Sequence, residues 1–162
     1  MTPLRLFISS VQKEFAAERA ALRDFLRGDP LLRRFVEPFL FEDLPASDRR
    51  ADGVYLDEVE SCDLFVGLFG ADYGAADKSG LSPVHREFAR ATARHKERLI
   101  FVKAGDDTKR NPRMLGLIRE AGNELIRRKF GSSAELIGAV YAALVESLVR
   151  RKLIHAAPFD AS

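Results

Sequence analysis

The chain has 162 residues, enough for one domain around one hydrophobic core and too few for two. Hydrophobic residues make up 46% and charged residues 31%, the mix of a folded globular chain rather than a disordered one. The formal net charge of +2 gives no global attraction to nucleic acid or an anionic membrane, no apolar stretch is long enough to span a bilayer, and a single cysteine, Cys62, excludes an internal disulfide.

In chain order, the first apolar run, Leu4 to Ile8, reads as a strand with no charged-then-apolar leader before it, and with the lone cysteine this makes the cytoplasm the expected compartment. A helix follows, with apolar residues at Val11, Phe15, Leu22, Phe25 and Leu26. Ser9 and Gln12 read as a capping box at its start and Gly28 as its stop. Phe35 to Phe41 is a weaker strand, and Pro38 places it at a sheet edge. A short helix is predicted from about Val54 to Glu60, and Asp63 to Phe69 forms a continuous apolar strand. Ser82 and Pro83 mark the N-cap and first position of another helix. Arg98 to Val102 is a strand, Pro112 to Ala121 a helix, and Glu124 to Phe130 either a fifth strand or a continuation of that helix. The last helix starts near Ser133 and carries Leu136, Val140, Leu144 and Leu148 on one face. Alternation of strand and helix five times favours a mostly parallel sheet covered on both faces. The expected domain is 1–154. The unpatterned residues 155–162 read as a tail, or as the start of a linker to a further domain.

In such a sheet, ligands bind where loops leave the carboxyl ends of the strands. Those loops open here with Ser9-Ser10, Glu42-Asp43-Leu44-Pro45, Gly70-Ala71-Asp72-Tyr73-Gly74 and Lys103-Ala104-Gly105-Asp106. Neither a dinucleotide fingerprint nor a P-loop is present, and His85, His95 and His155 lack the spacing of a metal site, so no metal is expected. The Gly74 to Gly80 loop is polar and Gly-rich and reads as a candidate lid or a plain surface connection. Glu87 shares a helical stripe with Val84 and Ala91, so capping does not account for it. At the sheet mouth its carboxylate could accept ribose hydroxyls or stabilise an oxocarbenium-like centre; the alternative is an ion pair with Arg86 or Arg90. The basic pairs are scattered without interleaved aromatics, which disfavours nucleic acid as a partner.

Phe7-Ile8-Ser9-Ser10 resembles the opening box of Toll/interleukin-1 receptor (TIR) domains, and Pro83-Val84-His85-Arg86-Glu87 resembles the segment in which NAD-cleaving TIR domains place their glutamate. Pro83 and Val84 stand where those enzymes carry an aromatic and a small residue. Nucleoside deoxyribosyltransferases use a similarly placed glutamate on a related fold. Over nearly its whole length the chain is similar to a bacterial TIR-like domain family of unknown function found ahead of Schlafen/AlbA-type ATP-binding regulators. Phe7 to Phe15, Phe41 to Ala46 and Leu68 to Gly74 carry that likeness.

The resemblance implies a three-layer flavodoxin-like/TIR-like α/β fold, with a five-stranded mostly parallel sheet in the order 2-1-3-4-5. It implies a signalling or sensor domain, in a bacterial-defence setting, that binds a nucleotide or self-associates to regulate an attached effector. The alternative it leaves open is an NAD(P) glycohydrolase, or another enzyme cleaving nucleoside N-glycosidic bonds, with Glu87 catalytic. Ser9, Ser10, Asp43, Asp72, Tyr73 and Ser82 would bind the ligand, and Arg49 and Arg50 would lie on a self-association surface. No cofactor is required; NAD or another adenine nucleotide is the expected ligand. The expected partners are that nucleotide, further copies of the chain and a downstream effector, with no membrane.

Overall fold

The computed structural model describes residues 1–155. The tail or linker expected over 155–162 lies, apart from His155, outside the described residues. Five parallel strands, β1 (Leu4–Ser10), β2 (Val36–Phe39), β3 (Leu64–Phe69), β4 (Glu97–Lys103) and β5 (Arg127–Phe130), form one sheet in the order β2-β1-β3-β4-β5. The helices are α1 (Ala16–Gly28), α2 (Ala51–Ser61), α3 (Pro83–Ala93), α4 (Pro112–Glu124) and α5 (Ser133–Arg150). The expected flavodoxin-like topology and strand order are therefore those observed.

Strands β1 and β3 are buried on both faces because each contributes to two apolar layers. Leu6, Ile8, Leu64, Val66, Leu68 and Phe101 pack with Leu22 and Leu26 of α1 and with Leu136, Val140, Leu144 and Leu148 of α5. On the other face, Phe7, Phe65, Phe69, Ile100 and Val102 pack with Val59, Val84, Phe88, Met114 and Leu117 from α2, α3 and α4. This two-sided burial explains why the central strands read as continuous apolar runs. Pro38 sits in edge strand β2, where its missing N–H costs no ladder bond.

Of the two helix starts read from capping chemistry, one holds and one does not. Ser82 caps α3 by accepting from the His85 N–H, with Pro83 in the first turn; Asn111, which the sequence reading had not singled out, caps α4 in the same way from Arg113. Ser9 caps nothing: β1 runs on through Ser10, which pairs with Leu68, and α1 begins only at Ala16 with no side-chain cap. A hydroxyl just after an apolar run satisfies the capping pattern, but pairing with β3 extends the strand past it.

The turn after β3 is tightly fitted. A Cβ on Gly70 would stand 2.5 Å from Glu14 Oε1 and 2.8 Å from the Phe15 ring, whereas one on Gly116 inside α4 would meet nothing within 4 Å. Gly70→Ala is therefore expected to destabilise the fold by about 1–3 kcal/mol through overpacking. Gly116→Ala is expected to stabilise it by about 0.5–1 kcal/mol through helix propensity. Urea midpoints moving in opposite directions would bear this out; equal midpoints would contradict it.

Candidate functional site

The sheet reverses its winding between β1 and β3, and a cavity of about 240 Å³ opens at the carboxyl ends of those strands. Its wall is built by Ile8, Ser10, Val11 and Gln12 from the end of β1 onward, Arg19 of α1, Tyr55 of α2, Gly74 and Ala75 after β3, and Pro83, Val84 and Glu87 of α3. Gly74 adopts φ +89°, a left-handed conformation that glycine reaches without strain, as the chain turns along the cavity.

Glu87 is the chemical centre of this wall. It is only 5% exposed, although it lines the cavity. Ser9 Oγ donates to Glu87 Oε1 at 2.7 Å, and among the described residues no ion pair involves Glu87. The basic neighbours that could have neutralised it are engaged elsewhere. Arg90 pairs with Glu60, and Arg86 Nε lies 3.4 Å from the Asp77 carboxylate. The ion-pair alternative for Glu87 is thus overturned. Burial pushes its pKa up to about 7, against the opposing pull of the Ser9 hydrogen bond and the Arg19 and Arg86 charges.

Arg19 is the buried cation of the site. Its Nη1 donates to the Ile8 carbonyl at 3.1 Å and to Ser10 Oγ at 2.9 Å, while Nε and Nη2 grip both oxygens of Glu42 at 3.0 and 2.8 Å. Although burial works the other way, Arg19 holds the Glu42 carboxyl below its ordinary value. Across the cavity, Gln12 Nε2 donates to the Tyr55 hydroxyl at 2.6 Å, and the Tyr55 ring stacks on Phe41 at 4.4 Å. Burial, then the nearby charge of Glu87, pushes the Tyr55 phenol up to about 12, so it remains a neutral hydroxyl.

The remaining sequence-derived site residues are dispersed. Ser10 lines the cavity and Ser9 stands behind it on Glu87. Asp43 is not in the cavity wall but ion-pairs with Arg23 and Arg27 of α1; a one-residue offset in the turn after β2 gives the inward place to Glu42. Asp72 contributes its backbone N–H to Glu14, and Ser82 is spent on the α3 cap. The Tyr73 hydroxyl lies 2.7 Å from His85 Nδ1, so Tyr73 braces the loop from behind rather than facing a ligand. Arg49 and Arg50 are exposed and pair with Asp57 and Asp52. The Gly74–Gly80 loop is tied down rather than free: Asp77 Oδ1 accepts from the Ser79 and Leu81 N–H groups, and Arg113 donates to the Gly80 carbonyl.

The reading from sequence did not identify Gln12, Arg19 and Tyr55 as site residues. Arg19 did leave a signal, since it falls on the Phe15–Leu22–Leu26 stripe where an apolar residue belongs. Gln12 and Tyr55 left none. Cys62 is buried and its thiol is pushed up to about 11 by that burial, which leaves it unreactive. Among the described residues no His, Cys, Asp or Glu cluster could hold a metal ion, and no helix is long and apolar enough to cross a membrane.

The chain belongs to the family described as a domain of unknown function, DUF4062, whose model matches residues 5–145. No curated protein matches it significantly in sequence. Among solved structures it is similar to the CMP N-glycosidase BcmB of Clostridium botulinum, with 15% identity, 86% of this chain and 98% of that chain covered, and a TM-score of 0.56. A fainter likeness joins it to a 2-desoxiribosyltransferase from Leishmania mexicana, with 16% identity, 76% and 75% coverage and a TM-score of 0.45. At these identities the first likeness supports the shared fold, and the second is too distant to argue from.

The raised pKa of Glu87 has a stability consequence. Below the ordinary carboxyl value of 4.5 the group is protonated both folded and unfolded, so it costs nothing. Between 4.5 and about 7 the unfolded chain releases the proton and the folded one keeps it, so stability falls as pH rises. Above about 7 the penalty is complete, on the order of 3 kcal/mol. Glu87→Gln is therefore expected to be more stable than the wild type at pH 8 and to lose that advantage near pH 4. A melting-temperature difference independent of pH would contradict the burial of an unpaired acid.

Proposed function

We propose that this domain cleaves the N-glycosidic bond of a nucleoside or nucleotide, with Glu87 as the carboxylate that faces the anomeric carbon. The observation that carries this reading is a buried glutamate in a nucleoside-sized cavity, held by a serine hydroxyl and making no ion pair among the described residues. The fold shared with the CMP N-glycosidase is in keeping with it, as is the place of Glu87 in the segment that resembles NAD-cleaving TIR domains.

In the proposed reaction the C1′–N bond breaks and its electron pair leaves with the base. The sugar becomes oxocarbenium-like, and ionised Glu87 stabilises that positive charge across a short, water-poor gap. Water adds its oxygen to C1′, and the proton it sheds ends on the departing base. Ser9 orients the carboxylate: its hydrogen bond to Oε1 fixes one oxygen and leaves Oε2 for the sugar. Arg19 and Arg86 favour the ionised form electrostatically without pairing with it. Self-association through Arg49 and Arg50, and regulation of an attached effector, rest on the sequence resemblance; their own ion pairs add no observation in favour.

Release of free base from a panel of nucleosides, nucleoside monophosphates and NAD tests this directly. Wild-type protein is expected to release base from at least one of them, with Glu87→Ala slower by about 10²–10⁴-fold. Because the ionised carboxylate is the working form, kcat/KM should rise with pH through a midpoint near 7. A rate that falls above pH 7 would make Glu87 a proton donor instead, and equal rates for wild type and Glu87→Ala would remove it from the chemistry.

A further inference from the structure

We infer that the site is built for a single uncharged nucleoside, and that it discriminates against phosphate-bearing ligands, the dinucleotide NAD included. This rests on the N-glycosidic reading and narrows its substrate class.

Size is the first observation. About 240 Å³ lies below the range of roughly 300–1,000 Å³ typical of pockets that enclose larger ligands, so the sheltered part of the site holds about one base with its sugar and anything further would lie at its open side. The wall cannot readily retreat, because Gly74 and Ala75 belong to a loop fixed at one end by Glu14 and at the other by the Asp77 turn. Gly70 within it is packed against Glu14 and Phe15.

Charge is the second. Among the described residues Arg19 is the one cationic side chain lining the cavity, and its charge is already matched by the bidentate Glu42. Two of its nitrogens serve Glu42 and the third serves Ser10 and the Ile8 carbonyl, so a phosphate would have to displace an existing partner. Arg86, beyond Glu87, lies against Asp77. Although Arg86 Nε makes no hydrogen bond, its charge is matched by Asp77 as that of Arg19 is by Glu42. Among the described residues a phosphate dianion placed here would therefore meet no cation without a carboxylate partner, and it would stand close to Glu87, opposing the ionisation that the chemistry needs.

The groups that do have capacity left are neutral. Gln12 spends one amide N–H on Tyr55 and keeps its other N–H and its carbonyl oxygen, the Tyr55 hydroxyl accepts from Gln12 and still has its own proton, and Ser10 accepts from Arg19 and still has its own. Such a set matches sugar hydroxyls and the amide-like edge of a base. The Tyr55 ring, backed by Phe41, supplies an apolar surface beside them.

Calorimetric titration of the Glu87→Gln protein, in which turnover does not deplete the ligand, tests the inference with uridine, adenosine, their 5′-monophosphates and NAD. At least one nucleoside is expected to bind about tenfold or more tightly than its monophosphate or NAD. In the Glu87→Gln/Glu42→Gln protein the charge of Arg19 is released, and the discrimination should shrink toward none. Monophosphates or NAD binding as tightly as nucleosides, or discrimination unchanged by Glu42→Gln, would overturn the inference and leave N-glycosidic cleavage standing. Nucleoside preference in a protein whose wild type releases no base would do the reverse, keeping the ligand class and removing the chemistry. Absence of binding by every ligand would overturn the inference outright.

Discussion

The hydrogen bond from Ser9 to Glu87 spans the central crevice of the sheet, and among the described residues it is the one hydrogen bond that the Glu87 carboxylate makes. Keeping a carboxylate so nearly dry disfavours its ionised form by on the order of 3 kcal/mol above neutral pH. What holds α3 down against that cost is apolar. Phe88 meets both Phe65 and Phe69, and Val84 and Ala91 are buried on the same stripe as Glu87. Burying a phenylalanine and a valine side chain contributes about 1.5–3 kcal/mol each, so the helix stays docked with its acid inside.

Room for that acid comes from the strands. Ser9 of β1 and Gly67 of β3 stand opposite each other in register, two small residues among Phe7, Phe65 and Phe69 on the face that α3 covers. A Cβ at Gly67 would already crowd Ile100 at 2.8 Å, so this part of the face admits no larger neighbour. Because β1 and β3 send their connections in opposite directions, nothing crosses the gap beyond Ser10 and Phe69, and the loops on either side frame it. Arg19 then closes one flank by binding the Ile8 carbonyl and the Ser10 hydroxyl of β1. The cavity is thus a consequence of topology, and its chemistry a consequence of a few substitutions in an otherwise apolar pattern.

Much of this was readable in the sequence. The strand order followed from a resemblance, the Ser82–Pro83 start of α3 from capping chemistry, and Glu87 from an acid on a stripe that should have been apolar. Ser9 was misread because a serine after an apolar run looks the same whether it ends a strand or begins a helix; the pairing of Ser10 with Leu68 decides it, and that contact is remote in sequence. Asp43 and Glu42 are adjacent acids in one turn, and only the direction of that turn separates the one that faces Arg19 from the one that faces Arg23 and Arg27. Gln12 and Tyr55 meet across 43 positions, beyond what any local pattern encodes.

Comparison with Glu60 shows what the environment of Glu87 is suited to. Glu60 lies at the surface between Arg90 and Arg94, which hold its carboxyl below the ordinary value. Glu87 is near balance at neutral pH, and burial rather than an opposing charge sets that balance. Once ionised, the carboxylate is poorly solvated and is held by a hydroxyl rather than by an opposing charge. A positive charge growing beside it would supply the partner it lacks, and the interaction would strengthen as the charge develops. An acid already locked in an ion pair has nothing further to gain from such a charge. The stabilisation available at Glu87 is therefore larger for a cationic transition state than for a neutral ground state, which is the condition under which binding energy lowers a barrier. That asymmetry, arising from a glutamate on the dry side of a helix, is the physical reason to look for bond cleavage here rather than binding alone.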